Sequence, residues 1–248
     1  MTDYRYLLRL GDDSLVATQR LLQWCTVAPQ IEEDVALANI ALDQLGQARV
    51  LLSYAGELEG AGRDEDSLAY LRDEQEFTNV ALVELPNEDF SVTVAKMLAF
   101  SAYQHVLYGH LEDSGDARIS AIAVKAGKEV AYHLNHFSTW AARLGDGTEL
   151  SHARMTSAID SVWPWTHELF RSDEVFDAAA AGGYGLDPAQ LRPGWLNLVD
   201  EVLASATVSR PLDGWAPEGA RSGLHTEHFG FLIAEMQSLH RAHAGVNW

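Results

Sequence analysis

The 248-residue sequence has a single cysteine, Cys25, and only 17 lysine and arginine residues against 36 aspartate and glutamate residues. One cysteine excludes an internal disulfide, so we expect a reducing, cytoplasmic environment. The formal charge of −19 repels phosphate backbones and argues against nucleic acid as a partner. No run approaches the ~18 apolar residues of a membrane span, and the first residues do not resemble a signal peptide.

Several local motifs are also missing. No segment shows sustained period-2 alternation of apolar and polar residues, so we predict no strands. No glycine-rich phosphate-binding pattern occurs, which leaves nucleotide binding without support. Ser14, Ser151 and Cys25 lack the surroundings of a catalytic nucleophile. The hydrophobic residues make up 47% of the chain, enough for a sizeable core, and their spacing is helical.

Capping and breaking signals divide the chain into helices. Two of these helices reach 25–30 residues, about 40 Å at ~1.5 Å per residue, which is the size of a ferritin-like bundle. We therefore predict an all-α, ferritin-like helical bundle with long antiparallel core helices, as one domain over residues 1–248. Its core bundle covers about 4–170 and its extra helices about 187–248. The predicted helices are Tyr4 to Cys25, Pro29 (as the first helical residue) to Leu58, Asp66 to Leu85, Asp89 to Glu112, Asp116 to Leu144, Glu149 to Phe170 with a kink at Pro164, one beginning at Asp187, and Leu224 to His243.

The second predicted helix carries two apolar stripes, so we predict that it packs on two sides, as in the middle of a bundle. Two glutamines, Gln44 and Gln47, interrupt one stripe. Burying an unpaired amide costs roughly 1–3 kcal/mol, so both must have hydrogen-bond partners. The first stripe is Ile31, Val35, Ala38, Leu42, Leu45 and Leu52, and the second is Leu37, Ile40, Leu51 and Tyr54.

Two helices have the layout of a di-iron protein but lack most of the ligands. A carboxylate-bridged di-iron bundle uses Glu-x-x-His on each of two helices, because residues three apart share one face. The corresponding positions here hold Gln44 with Gln47, and Val130 with His133. A glutamine is a neutral, weak ligand and a valine is none. The pattern therefore indicates a helical oxygenase scaffold that no longer carries out oxygenation, with no catalytic, cofactor-binding or metal-binding residue of its own.

Other histidines and carboxylates allow alternative hypotheses. Glu129 and His133 lie one turn apart and could contribute to a metal site, although a hydrogen-bonded polar contact is the simpler interpretation. His225, Glu227 and His228 open the last predicted helix, where we predict an interface rather than a chelate. The second functional hypothesis is a di-iron or mononuclear oxidase with rearranged ligands such as Asp43, Glu129 and His133. A metal-storage or binding module is a third.

Four segments carry a family resemblance that covers essentially the whole chain. They resemble the structural (PaaC-type) subunits of multicomponent phenylacetyl-CoA epoxidases, also called phenylacetate-CoA oxygenases. The segment 223–237 is the most specific of the four. The segments are Leu10–Val16, Ala36–Arg49, Arg72–Phe77 and Gly223–Gln237.

The resemblance implies a ferritin-like fold and a stable pairing with a homologous catalytic subunit. That subunit would hold the di-iron centre and epoxidise phenylacetyl-CoA with O2, with a further small subunit and a reductase in the complex. This chain would carry no cofactor and could form a homo-oligomer when alone. Compared with the ligand runs of the catalytic subunit, only His133 is kept. Looser pairings place Ser14 and Ser101 at the two remaining carboxylate positions.

Overall fold

The computed structural model describes residues 2–243 and 246. These residues form nine α-helices and no strand, which confirms the predicted all-α fold. None of the described helices is both long and apolar enough to cross a membrane. The helices are α1 Tyr4–Leu22, α2 Ile31–Glu59, α3 Glu65–Tyr70, α4 Phe90–Leu111, α5 Ala117–Gly145, α6 Glu149–Val162, α7 Glu174–Ala181, α8 Arg192–Ser205 and α9 Phe229–Ala242.

The chain divides into two compact units that interleave in sequence. Unit 1 consists of Asn87–Pro217 together with Thr2, and contains α4 to α8. Unit 2 consists of Asp3–Pro86 and the segment that begins at Glu218, and contains α1 to α3 and α9. Each unit is built on one pair of long helices, the element that a ferritin-like bundle requires. The single domain predicted over residues 1–248 stays a prediction.

In unit 2 the helices α1 and α2 pack as an antiparallel pair. The Oγ1 of Thr18 donates to the carbonyl of Ala41 at 3.2 Å, whereas Gly11, two turns earlier, lies against Leu52. A Cβ at Gly11 would stand 2.8 Å from the Cδ2 of Leu52, so a larger residue there would force the Leu52 side chain to move. Thr18 also bonds within its own helix, to the carbonyl of Ser14 at 2.9 Å.

The prediction of a long third helix from Asp66 to Leu85 is wrong. After α3 the chain forms only two short 3-10 turns, Glu74–Glu76 and Ala81–Glu84. The backbone amides of Thr78 and Val80 are bonded to the carboxylates of Asp12 and Asp13 on α1, at 2.9 and 2.8 Å. These tertiary hydrogen bonds replace the intrahelical ones that would have continued the helix.

In unit 1 the helices α4 and α5 form the second antiparallel pair. Phe90, at the start of α4, meets Trp140 edge to face, whereas the backbone position of Gly127 lies beside Tyr108 near the end of α4. Both N-termini have aspartate caps: Asp89 accepts from the amide of Val92 and Asp116 from that of Arg118. One stripe of α5 faces inward and is buried: Ile119, Ala123, Ala126, Val130, His133 and Phe137. Local signals therefore specified this pair well.

The rest of unit 1 is shorter helices packed beside this pair. The predicted kink at Pro164 appears as a change from α6 to a 3-10 helix, Trp163–Phe170. Helix α7 was not predicted, although its cap Asp173 is a recognisable signal and accepts from the amide of Val175 at 3.0 Å. The helix predicted from Asp187 begins as a 3-10 turn, Pro188–Leu191, and continues as α8. The buried Trp195 of α8 donates its Nε1–H to a carbonyl of α4.

Three predicted boundaries in unit 2 are corrected. Helix α1 ends at Leu22 rather than Cys25, because the chain continues in single turns. Helix α2 begins at Ile31 with Gln30 as its N-cap, so Pro29 lies before the helix rather than at its first position. Helix α9 begins at Phe229 rather than Leu224, because His225 and the backbone amide of Thr226 bond to Glu84.

Candidate functional site

Three of the six degenerate di-iron positions lie in unit 2. Gln44 and Gln47 project from the inner face of α2, and Ser14 lies on α1. Gln44 and Ser14 are 0% exposed and Gln47 is 3% exposed, so the predicted burial of both amides is confirmed. Neither glutamine is without an interaction partner, as the cost of burying an amide requires. These side chains are neutral at every pH.

The other three positions lie in unit 1. Val130 and His133 face inward from α5 and are 0% exposed, and Ser101 is equally buried on α4. The hydroxyl of Ser101 has no hydrogen-bond partner among the described residues. His133 is held by interactions within the protein. A fully buried serine oxygen without a partner is unusual, and it is one of the positions paired with a carboxylate by the resemblance.

The donors at these positions do not fit a di-iron centre. Two iron ions of a carboxylate-bridged centre take anionic oxygens and imidazoles, whereas five of the six positions hold amides, hydroxyls or an alkyl group. Glu129, from the rearranged set, pairs with Lys125 at the surface (Nζ–Oε1 3.5 Å). Within residues 2–243 and 246, no group of three or more His, Cys, Asp or Glu side chains is arranged to hold a metal ion.

Three buried polar contacts, not predicted from the sequence, lie in the interior of unit 2: two arginine–aspartate ion pairs and one glutamate–histidine contact. Arg72 and Asp12 form a bidentate pair in which both side chains are at most 1% exposed. The Nη1 of Arg72 donates to Asp12 Oδ2 at 3.0 Å, and the guanidinium lies 4.2 Å from the centre of the Phe77 ring. Asp12 also accepts from the amide and hydroxyl of Thr78. This pair fastens the segment after α3 to α1.

A second buried pair joins α1 to the segment before α9. Arg221 donates to Asp13 Oδ2 at 2.9 Å and to the carbonyl of Thr78 at 3.0 Å. Burial raises the pKa of Asp13 to about 6, and neighbouring Asp12 adds to the rise; Arg221 and the amide of Val80 lower the pKa without cancelling it. At neutral pH the carboxylate of Asp13 is therefore held in its charged form against its own desolvation.

The third pair is Glu84 with His225, and it corrects part of the interface prediction. The Nδ1 of His225 lies 2.6 Å from Glu84 Oε1, its Nε2 lies 3.2 Å from the carbonyl of Phe77, and its side chain is 1% exposed. His225 therefore fastens the loop inside unit 2. Glu227 and His228 are exposed and lie 3.8 Å apart, and for these two the interface stays a prediction. All three residues precede α9, although they were predicted to lie inside that helix.

The outer face of α2 differs most from expectation. The stripe that includes Ile31, Val35, Leu42 and Leu45 was predicted to be packed, but the four side chains are 76%, 59%, 60% and 38% exposed. The stripe with Gln44 and Gln47 is the one that turns inward. The prediction that α2 packs on two sides is therefore wrong for the chain by itself, and α2 presents an uncovered aliphatic face.

The chain matches known proteins over its whole length. Residues 1–248 match the family described as phenylacetic acid catabolic protein. A curated relative from Escherichia coli (strain K12), named as a component of the 1,2-phenylacetyl-CoA epoxidase, is 46% identical over 243 residues, which cover 98% of each chain. Identity at this level over nearly all of both chains implies that the two proteins share one fold from end to end.

Proposed function

The chain belongs to the phenylacetic acid catabolic protein family, and from this premise we propose that it is a non-catalytic structural subunit of a phenylacetyl-CoA epoxidase. The observation that carries the proposal is the pair of buried amides, Gln44 and Gln47, at positions where a di-iron subunit needs ionic and imidazole ligands. The 46% identity to a named component of such an enzyme supports the same assignment.

The proposed reaction belongs to a partner. A homologous subunit that keeps the di-iron ligands would bind phenylacetyl-CoA and O2 and epoxidise the ring, with electrons supplied by a reductase and with a further small subunit in the complex. This chain would contribute surface and stability to that subunit. We place the assembly in the cytoplasm, the reducing compartment that suits a free cysteine such as Cys25.

Metal analysis of the purified chain tests the non-catalytic assignment. We expect less than stoichiometric iron after aerobic loading with ferrous iron, because the inward positions offer too few anionic donors. The homologous di-iron subunit, loaded in parallel, is the positive control. Two irons per chain would overturn the assignment and favour an oxidase with rearranged ligands.

Co-expression tests the pairing. This chain and the di-iron subunit should elute as one species from a sizing column, whereas the di-iron subunit expressed alone should be poorly soluble or inactive. Independent elution of the two chains at micromolar concentration would contradict the proposal.

A further inference from the structure

The exposed residues of α2 are spaced like one seam of a coiled coil. Ile31, Val35, Ala38, Leu42 and Leu45 follow each other at intervals of four, three, four and three residues. A repeat of 3.5 residues keeps an apolar stripe facing a second helix that crosses at a small angle. A second helix that runs alongside α2 would fit this stripe.

A glycine, Gly46, lies beside the C-terminal end of this seam. Gly46 is in the interior of α2, where glycine is about 1 kcal/mol less favourable than alanine. A Cβ at this position would meet nothing within 4 Å, so no contact inside the chain explains the missing side chain. Small residues at a helix–helix contact let two backbones approach closely, as Gly11 does between α1 and α2. Gly46 allows the same approach from outside.

The seam leads into a cavity of about 260 Å³ within unit 2, large enough for one big apolar side chain. The exposed salt bridge between Arg49 and Glu65, with Nε–Oε1 at 3.2 Å, stands at its rim. Buried anchors of this kind carry much of the binding free energy of protein interfaces. The apolar lining of the cavity is formed by Leu15, Leu45, Ala48, Leu52 and Ala69.

The charge of α2 identifies the kind of helix that fits. The helix carries six carboxylates and one basic residue, Arg49, and the whole chain has a formal charge of −19. Along the seam itself Glu32, Asp34 and Asp43 are not buried, and a second copy of this chain would bring the same carboxylates against them, at a cost in repulsion. A helix flanked by lysine and arginine would be attracted. The acidic residues of α2 are Glu32, Glu33, Asp34, Asp43, Glu57 and Glu59.

We propose that the outer face of α2 is the docking surface for one amphipathic, basic-flanked helix of a different subunit. That helix packs along Ile31 to Leu45, approaches most closely at Gly46, and places one large apolar side chain in the cavity beside Leu45. The inference rests on the proposed function, which supplies the partner: the homologous di-iron subunit.

Substitutions on this face, measured against that di-iron subunit, test the proposal. Gly46→Leu and Leu42→Asp should each weaken the affinity by at least about 30-fold, the size of a hot-spot effect. The matched controls are Gly109→Leu, at an exposed glycine of α4 where a Cβ also meets open space, and Leu150→Asp, at an exposed leucine of α6. Both controls should bind like the wild type, and all four free chains should keep wild-type melting temperatures within a few degrees.

The outcomes separate the two proposals. If the wild-type chain binds the di-iron subunit and Gly46→Leu binds equally well, the docking surface is wrong while the proposed function stands. If the wild-type chain does not bind at all, the proposed function fails. If the isolated chain forms a dimer that Gly46→Leu dissociates, the occupant is a second copy and the inference is overturned. Association that slows as salt is added supports the basic partner, and salt-independent association contradicts it.

Discussion

The interior of unit 2 and the outer face of α2 differ in an unexpected way: buried polar groups lie within the apolar core, whereas apolar side chains are exposed on the outer face of α2. Inside, two ion pairs, the glutamate–histidine contact of Glu84 with His225 and two amides are buried around α1 and α2. Outside, the same α2 presents a regular aliphatic seam to solvent, with Ile31 76% exposed. Buried charges are costly and exposed aliphatic seams are rare in isolated subunits. The comparison shows that α2 has a fully packed inner face and an apolar outer face that the chain itself leaves uncovered.

The largest effect is expected where the interior pairs are broken. Arg72→Met leaves Asp12 buried without its cation, and we expect the free energy of unfolding in urea to fall by about 3–5 kcal/mol. Arg49→Met removes the exposed salt bridge with Glu65. It should lower the free energy of unfolding by no more than about 1 kcal/mol. An equal decrease in the free energy of unfolding in the two variants would show that the buried ion pair matters no more to stability than the exposed one.

The second effect is a pH dependence of the interior. The folded-state pKa of Asp13 is about 6 against 3.8 for the ordinary value, so the folded chain binds this proton more tightly. The contribution of Asp13 to stability is therefore fully present below pH 4 and is lost as the pH rises through 6. Asp13→Asn removes this dependence.

Urea unfolding of wild type and Asp13→Asn between pH 4 and pH 7 measures the pH dependence that Asp13 contributes to stability. The stability of the variant relative to wild type should rise over this interval by on the order of 3 kcal/mol, from a shift of about two pKa units. Asn can still accept from Arg221, so the pair keeps its geometry. Parallel stability curves for the two proteins would refute the assignment.

A third effect compares amides on opposite faces of α2. Gln47→Leu should lower the free energy of unfolding by about 1–3 kcal/mol, because it orphans the buried partner of the amide. Asn39→Leu, an exposed amide of the same helix, should change it by less than about 0.5 kcal/mol. An unchanged melting temperature for Gln47→Leu would mean that the residue is not a satisfied core amide.

The smallest expected effect is that of a substitution on the outer face of α2, at Gly46. Gly46→Ala should stabilise the free chain by about 0.5–1 kcal/mol, because alanine favours the helix and the new Cβ meets open space. Gly11→Ala should do the opposite, since its Cβ would collide with Leu52. Thermal unfolding of both variants decides the matter. A destabilising Gly46→Ala would mean that this position is constrained within the chain.

Local signals in the sequence were enough for the long helices but not for the segments that tertiary contacts determine. The caps Asp89 and Asp116 and the inward stripe of α5 were predictable, because each depends on residues within a few positions. The break after α3 was not, because Thr78 and Val80 bond to carboxylates 66 and 67 residues away. The local spacing of apolar residues does not reveal hydrogen-bond acceptors that are so distant in the sequence.

The candidate site divides in the same way. The burial of Gln44 and Gln47 followed from their place in an apolar stripe. The ion pair of Asp13 with Arg221 joins residues 208 positions apart and could not be inferred from the sequence. The two adjacent aspartates in an otherwise apolar helix do indicate that buried carboxylates need partners. The outer stripe of α2 was recognised as apolar but assigned to the core, because periodicity does not tell whether the covering helix belongs to the same chain.

The central claim is that this chain serves an epoxidase through its surface and not through chemistry of its own. Epoxidation of phenylacetyl-CoA by the di-iron subunit and reductase, assayed with and without this chain, tests it most directly. We predict that activity requires the chain and that Gln44→Ala, made at a degenerate ligand position, supports the same turnover as wild type once assembled. Full activity without the chain would contradict the account, as would loss of turnover in an assembled Gln44→Ala complex.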